Sequence, residues 1–175
     1  MQSIWQRLGA ALGKRRLFKL LRFYPPFLGA GVRVTHVADD LRWVEVEMPL
    51  TPFNRNYVGT HFGGSLYSMC DPFFMLLLMM NLGPEYVVWD KSASIRFVKP
   101  GRGRVHACFE VSSQRIAAIR DQVDREGRAE PEFHAEVKDD SGEVIARVHK
   151  VLHVRLKDRG VERALEEKQP RVVRA

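Results

Sequence analysis

The chain has 175 residues, 45% of them hydrophobic and 28% charged, which fits one compact domain with a sizeable core and excludes a disordered polyelectrolyte. Its two cysteines, Cys70 and Cys108, fall in apolar patterns without ligand spacing, which argues against a disulfide scaffold and a zinc site and for a reducing, cytoplasmic compartment. The net charge of +7 is uneven: residues 1 to 38 carry seven Lys and Arg and no acid, while the remainder balances 21 bases against 21 acids.

Residues 1–28 form a basic N-terminal segment. At helical pitch Ile4, Trp5, Leu8, Ala11 and Leu12 make one apolar face, whereas Leu17, Phe18, Leu20 and Leu21 face another way after Gly13, so two short helices at an angle are expected. A basic amphipathic start is open to three readings: docking on its own domain, peripheral contact with a membrane, or a transit peptide. There is no Ala-x-Ala cleavage pattern, and Lys14, Arg15 and Arg16 interrupt any secretory apolar core. The apolar block Phe73 to Met80 is shorter than the roughly 20 residues of a membrane span. Neither a secreted nor a membrane-spanning chain is expected.

Residues 29–156 read as one domain. After Pro25-Pro26 the period becomes two, with Val32, Val34 and His36 followed by Val44, Val46 and Met48, which predicts an antiparallel hairpin turning at Asp39-Asp40. A loop from Pro49 to Thr60 leads into a helix predicted over residues 64–81, closed by Asn81 and Gly83-Pro84. Because Phe73 to Met80 is apolar all round, that helix must be wrapped by other structure. Strands are expected over Tyr86–Lys99, Arg104–Val111, Glu132–Lys138 and Glu143–Arg155. In the first three, Ala93, Ile95 and Phe97, then Val105, Ala107 and Phe109, then Phe133, Ala135 and Val137 keep one face apolar. An inserted helix over 114–126, capped by Ser113 and stopped by Gly127, separates the second of these strands from the third. Residues 157–175 are a charged tail. The pattern is α+β: a curved antiparallel sheet around one long buried helix.

The chemistry concentrates in Asn56-Tyr57-Val58-Gly59-Thr60-His61-Phe62-Gly63-Gly64-Ser65 and the following Asp71. Two glycines at a helix start let another group approach backbone NH groups that have no internal partner, and such donors stabilise a developing oxyanion. Asp71 is a candidate base or nucleophile. Eight residues of helix between Gly63 and Asp71 rise roughly 12 Å, too far for both to touch one carbonyl, so the two groups of one site would come from different subunits.

These residues resemble the PaaI-like hotdog acyl-CoA thioesterases, whose motif is Asn or Gln, a His-Gly-Gly turn, then Asp or Glu on the central helix. The resemblance extends loosely over residues 30 to 155, and as a whole the chain is similar to an uncharacterised, domain-of-unknown-function branch of that hotdog superfamily. It implies a hotdog fold and hydrolysis of an acyl-CoA thioester to free acid and CoA. No cofactor is implied beyond the coenzyme A of the substrate, and a homodimer or dimer of dimers is expected. By position, Asn56 matches the group that orients carbonyl or water, Gly63 the oxyanion NH with Gly64 assisting, and Asp71 the catalytic carboxylate. The sequence departs from the motif at Phe62, where the family has His, at Pro72 inside the helix, and at Met75, where the family has a hydroxyl. His61 stands one position early.

Each reading has a plainer competitor. Asp71 before Pro72 can equally be a helix N-cap, with Pro at the first helical position, or a carboxylate beside a proline kink that frees the Ser68 carbonyl. His61 can bond its own loop or take part in the site with Phe62. Met69, Phe73, Phe74, Met75, Leu77 and Met80 offer a flexible lining for an acyl or aryl tail. The basic turn Lys99 to Arg104, read as a hairpin, can meet CoA phosphates through Lys99 and Arg102 or be a solvated loop. Asp90 is a second acid, expected to pair with a neighbouring Lys or Arg. His149 and His153, about 13 Å apart on one strand, cannot share a metal, so no metal site is expected. Without stacking aromatics among the basic residues, no nucleic-acid partner is expected either. A hydratase of the same fold would want an Asp and His pair that the sequence lacks. A non-catalytic acyl-CoA or fatty-acid binding protein, held at a membrane by the basic start, is the rival reading.

Overall fold

A computed structural model describes residues 14–157. The sequence expectation for residues 1–12 therefore lies outside the described residues, as does all of the tail beyond 157. The elements run α1 (Lys14–Leu20), a short 3-10 turn (Leu21–Phe23), α2 (Pro25–Ala30), β1 (Arg33–Val37), β2 (Trp43–Met48), α3 (Gly63–Ser68) and α4 (Phe73–Leu82). They continue with β3 (Tyr86–Phe97), β4 (Val105–Glu110), α5 (Ser113–Glu126), β5 (Arg128–Ala129), β6 (Glu132–Asp139) and β7 (Val144–Leu156). The strands form one antiparallel sheet in the order β1-β2-β4-β6-β7-β3, with β5 paired to β7. That sheet curves around α3 and α4 in the hotdog arrangement.

Apolar alternation builds the inner face. Val44, Val46 and Met48 of β2, Val105, Ala107 and Phe109 of β4, and Phe133, Ala135 and Val137 of β6 are all buried. Against them pack Phe73, stacked on Phe109 at 4.9 Å, and Phe74, stacked on Phe133 at 4.7 Å. Burying each such ring is worth roughly 1.5–3 kcal/mol. Phe18 of α1 and Phe27 of α2 join the same core, Phe27 stacking on Phe73 at 5.9 Å, so the basic segment from residue 14 onward is docked on the sheet.

The structure departs from the sequence expectations in several places. Residues 25–30 form a short helix that carries the expected helical N-terminal segment past residue 28, because Pro is well suited to the first helical positions and Gly31, with φ +76°, ends the turn. In β1 a bulge between Val34 and His36 shifts the register, so Val37 rather than His36 turns inward. The cap of α5 is Ser112, whose Oγ accepts from the Arg115 NH at 3.1 Å, one residue earlier than expected.

The predicted helix over 64–81 is two helices. Pro72 has no NH to offer the Ser68 carbonyl. The chain instead tightens, with Cys70 NH donating to Tyr67 O at 2.8 Å and Asp71 NH to Ser68 O at 3.4 Å, before Leu76 NH returns to Pro72 O at 2.9 Å. Taken through this turn, residues 63–82 have the length and apolarity of a membrane span, but half of the stretch is buried inside the protein. Phe73, Phe74, Leu77, Leu78 and Leu82 face the sheet, whereas Met75, Leu76, Met79 and Met80 remain only partly buried.

β3 is an edge strand, 12 residues long. Between Asp90 and Ser92 its pairing with β7 slips by one residue at Lys91. As a result Asp90, opposite the buried Leu152, and Ala93, Ile95 and Phe97, opposite Lys150, Val148 and Ala146, all lie on the inner face. Ala93 and Phe97 are nevertheless exposed, so this end of the inner face is open within one protomer. Residues 98–104 connect β3 to β4, strands separated by β6 and β7; the basic turn is a crossover loop, not a hairpin.

Candidate active site

The loop before α3 is held by two asparagines. Asn54, fully buried, donates to the carbonyls of Ala30 at 2.7 Å and Pro49 at 2.8 Å and accepts from the Thr51 NH at 2.7 Å. Asn56 donates to Thr60 Oγ1 at 2.9 Å and the His61 carbonyl at 3.3 Å, while its oxygen accepts from the NH groups of Val58 at 3.1 Å and Thr60 at 3.0 Å. Two donor hydrogens and two lone pairs are thereby used within the loop. Asn56 is a staple rather than the free amide expected to orient substrate or water. Asn54, which sequence reasoning passed over, carries no motif signal. A polar residue just before the Asn56 motif, facing a conformationally special Gly31, is the trace it leaves.

His61 is also corrected. It is 3% exposed, lies under the crossover loop, and its Nε2 is 2.9 Å from the Gly103 carbonyl. Its Nδ1 is buried without a partner, and burial lowers the imidazole pKa below its ordinary value. Its ring is closed off from solvent within the protomer and bonded to the loop, the plainer of its two expected readings. Phe62, by contrast, is 56% exposed.

Phe62 is extended and precedes α3, so that Gly63 and Gly64 open the helix, and among the described residues their NH groups donate to no acceptor. The room the two glycines leave is taken by rings of the same chain. A Cβ on Gly63 would lie 2.8 Å from the Phe97 ring, and one on Gly64 would lie 2.4 Å from the ring of Phe62.

Of the expected acyl lining, Met69, Phe73, Phe74 and Leu77 are at most 2% exposed and belong to the protomer's packed core. In this structure they fill the space between helix and sheet rather than line an opening. Met75 and Met80 are partly buried and remain accessible. In the crossover loop Lys99 is paired with Glu143, and Arg104 with Asp140 at 3.0 Å; Arg102 is exposed and makes no ion pair among the described residues.

Asp71 sits in the turn between α3 and α4. The residue flanking α4 is Pro72, and no side chain caps that helix, so the N-cap reading of Asp71 fails. Its carboxylate is 48% exposed and its Oδ1 lies 3.1 Å from the Nζ of Lys150. Lys150 also donates to the main-chain carbonyl of Asp71 and is 2.9 Å from Oδ2 of Asp90. This lysine is completely buried. It stands on β7 in phase with the inward Val148, Leu152 and Val154, and that one charged residue on an otherwise apolar strand face was the sequence signal missed. Asp90 is the pairing acid, its partner coming from another strand.

The electrostatics follow from burial. Asp90 has its pKa raised, first by burial and further by the like charge of Asp71, against the opposing pull of Lys150. Its Oδ1 is buried without a partner. The Tyr67 phenol is pushed up by burial and then by Asp71, and its ring centre lies 5.8 Å from Lys150 Nζ. Burial pushes the Cys70 thiol up to about 12. A depression of about 370 Å³ crosses the opposite face of the sheet between β3, β6 and β7, among Ser94, Arg96, His134, Glu136, Arg147 and His149; none of the candidate residues lines it.

A curved sheet around a broken central helix, with a carboxylate at the break and a glycine pair at the helix start, defines a hotdog-fold protein. Residues 13–154 match the model of the family described as DUF4442, a domain of unknown function, and the chain belongs to that family. No curated protein matches it. Among solved structures it is similar to a protein of unknown function and probable thioesterase from Pseudomonas aeruginosa, 20% identical, covering 81% of this chain and 95% of the other with a TM-score of 0.74. A protein from Chlorobaculum tepidum is similar at 16% identity, with coverages of 82% and 95% and a TM-score of 0.68. A thioesterase from Haemophilus influenzae is similar at 13% identity, with coverages of 83% and 93% and a TM-score of 0.62. At these identities the likeness establishes the fold.

Proposed function

We propose that the protein hydrolyses an acyl-CoA thioester as a homodimer, without a cofactor, using Asp71 of one protomer and the NH of Gly63 of the other. The observation that carries the reading is the state of Asp71: a half-exposed carboxylate that caps no helix and is held beside a buried cation. A carboxylate held at that distance by a buried ammonium, with nearly half of its side chain open to solvent, is placed as a base or nucleophile needs to be. Two of the similar structures are described as a thioesterase or probable thioesterase, which agrees with this class of reaction.

In the proposed reaction Asp71 takes a proton from water as the water oxygen attacks the thioester carbonyl; in the alternative course Asp71 attacks that carbon itself and expels the thiolate, and water then hydrolyses the acyl-aspartyl anhydride, regenerating Asp71 and supplying the proton. Negative charge collects on the carbonyl oxygen, where the unpartnered NH of Gly63, assisted by that of Gly64, stabilises it. The carbon–sulfur bond breaks, the thiolate of CoA takes up the proton, and the free acid remains. Asn56, saturated within its own loop, acts only by shaping that loop. Arg102 is available to the phosphates of CoA, and Phe62 and Met75 to the acyl group.

The second protomer is needed because α3 separates Gly63 from Asp71 by a helix and a turn. The open edge of β3, with Ala93 and Phe97 exposed on the inner face, and the partly buried row Met75, Leu76, Met79 and Met80 offer it a surface. The test is thiol release from a panel of acyl-CoA chain lengths by the purified chain and by Asp71→Asn. The variant should fold normally and lose nearly all turnover; undiminished turnover would sink the assignment.

The saturated Asn56 amide favours one competing reading, a protein that binds acyl-CoA or fatty acid without cleaving it. Intact acyl-CoA that co-purifies and survives prolonged incubation would decide for binding.

A further inference from the structure

We propose that Lys150 is a positioning residue for Asp71, with Asp90 as its counter-charge, so that the reactive carboxylate is aimed by a buried ion pair reaching it from two strands. This rests on the reading of Asp71 given above.

An ammonium group on the apolar inner face of a sheet costs several kcal/mol to desolvate, and Lys150 is fully buried there. Its three N–H donors meet three acceptors: Oδ1 of Asp71, the main-chain carbonyl of Asp71, and Oδ2 of Asp90. Two of the three are on one residue. The hold on both the carbonyl and one carboxylate oxygen fixes the side chain of Asp71 in the turn that Pro72 creates, with nearly half of that side chain still exposed. The groups facing the ammonium are Tyr67 from α3, Cys70 and Asp71 from the turn, and Asp90 from β3. Two carboxylates face one cation, and the bulge at Lys91 is what turns Asp90 inward to complete the set. Without Lys150, two acids would share the site with no cation between them, and the charge of Asp71 would push the Asp90 carboxyl further up.

A plain structural ion pair makes a different forecast. Replacing a buried pair by residues of similar volume is often neutral for stability, and if Lys150 only fills the core, turnover should survive such a replacement. The experiment uses the full chain and an acyl-CoA that it cleaves, with Lys150→Met, Asp90→Asn and the double variant Lys150→Met/Asp90→Asn. The double variant, which removes both charges together, should stay folded yet lose about 10- to 100-fold in kcat, as expected for a misplaced reacting group, with KM little changed. A double variant with wild-type kcat would overturn the proposal.

An arm independent of turnover follows the Asp90 carboxyl by 13C NMR. Its titration should move to lower pH in Asp71→Asn, where the like charge is gone, and to higher pH in Lys150→Met. An Asp90 that titrates identically in all three proteins refutes the coupling. Full activity in Asp71→Asn, with the Asp90 shifts present, would instead refute the catalytic role of Asp71 and leave the ion-pair network standing.

Discussion

Replacing Asn56 by alanine separates a chemical role from a structural one. Four hydrogen bonds disappear, and they are unequal. The Val58 NH lies in an exposed loop tip and can turn to water, and the bond to the His61 carbonyl is long at 3.3 Å. The two contacts with Thr60, a residue only 5% exposed, carry most of the effect. At a net 0.5–1.5 kcal/mol per bond, the loss is about 2 kcal/mol. For a chain of this size that lowers Tm by roughly 4–8 °C. The assay is thermal unfolding followed by circular dichroism at one protein concentration, beside thioester turnover well below the new midpoint. If Asn56 only staples the loop, turnover at low temperature should fall no more than the loop's occupancy does. A variant that melts like the wild type but has lost its activity would refute the reasoning and restore Asn56 as a group in contact with substrate.

Other expectations are simpler to check. Ser112→Ala should cost about 1 kcal/mol in chemical denaturation through loss of the α5 cap, while Ser113→Ala should cost only a few tenths; equal costs would argue against the cap as drawn. A thiol reagent should label Cys108 in the native protein and Cys70 only after unfolding, since the latter is buried with its pKa raised to about 12. His61 has a folded pKa below its ordinary value. Its stabilising contribution is therefore complete above the unfolded value of about 6.5 and is lost as pH falls through the folded one. His61→Gln should flatten the acid side of the stability–pH curve, and an unchanged slope would count against burial as the cause.

How much was legible in the sequence depended on whether the signal was periodic or relational. The alternations Val105-Ala107-Phe109 and Phe133-Ala135-Val137 read correctly because one buried face imposes a period of two, and Gly127 stopped α5 because its φ of +75° suits glycine. The helix break was foreshadowed by Pro72, though pattern alone left it as a kink or a cap. The expected acyl lining failed because Met69, Phe73, Phe74 and Leu77 look the same whether they face a ligand or their own sheet. Asn56 and His61 carried the motif's spacing, but spacing does not tell which hydrogen bonds a side chain has already made. Lys150 and Asp71 are 79 residues apart, and only the pairing of strands brings them together. Even so, a lysine in phase with Val148, Leu152 and Val154 was a local anomaly.

The extra residue Lys91 in β3 sets a reading frame. Were the ladder regular, alternation starting from Asp90 would put Ser92, Ser94 and Arg96 beside the helices and turn Ala93, Ile95 and Phe97 to the far side. The offset therefore lets one strand supply an acid at its first half and a greasy row at its second, both to the same compartment. In consequence, the number of residues between position 90 and position 93 is under a tighter constraint than their identities: lengthening that interval by one while the ladder closes up around it would invert everything downstream, whichever amino acid were inserted.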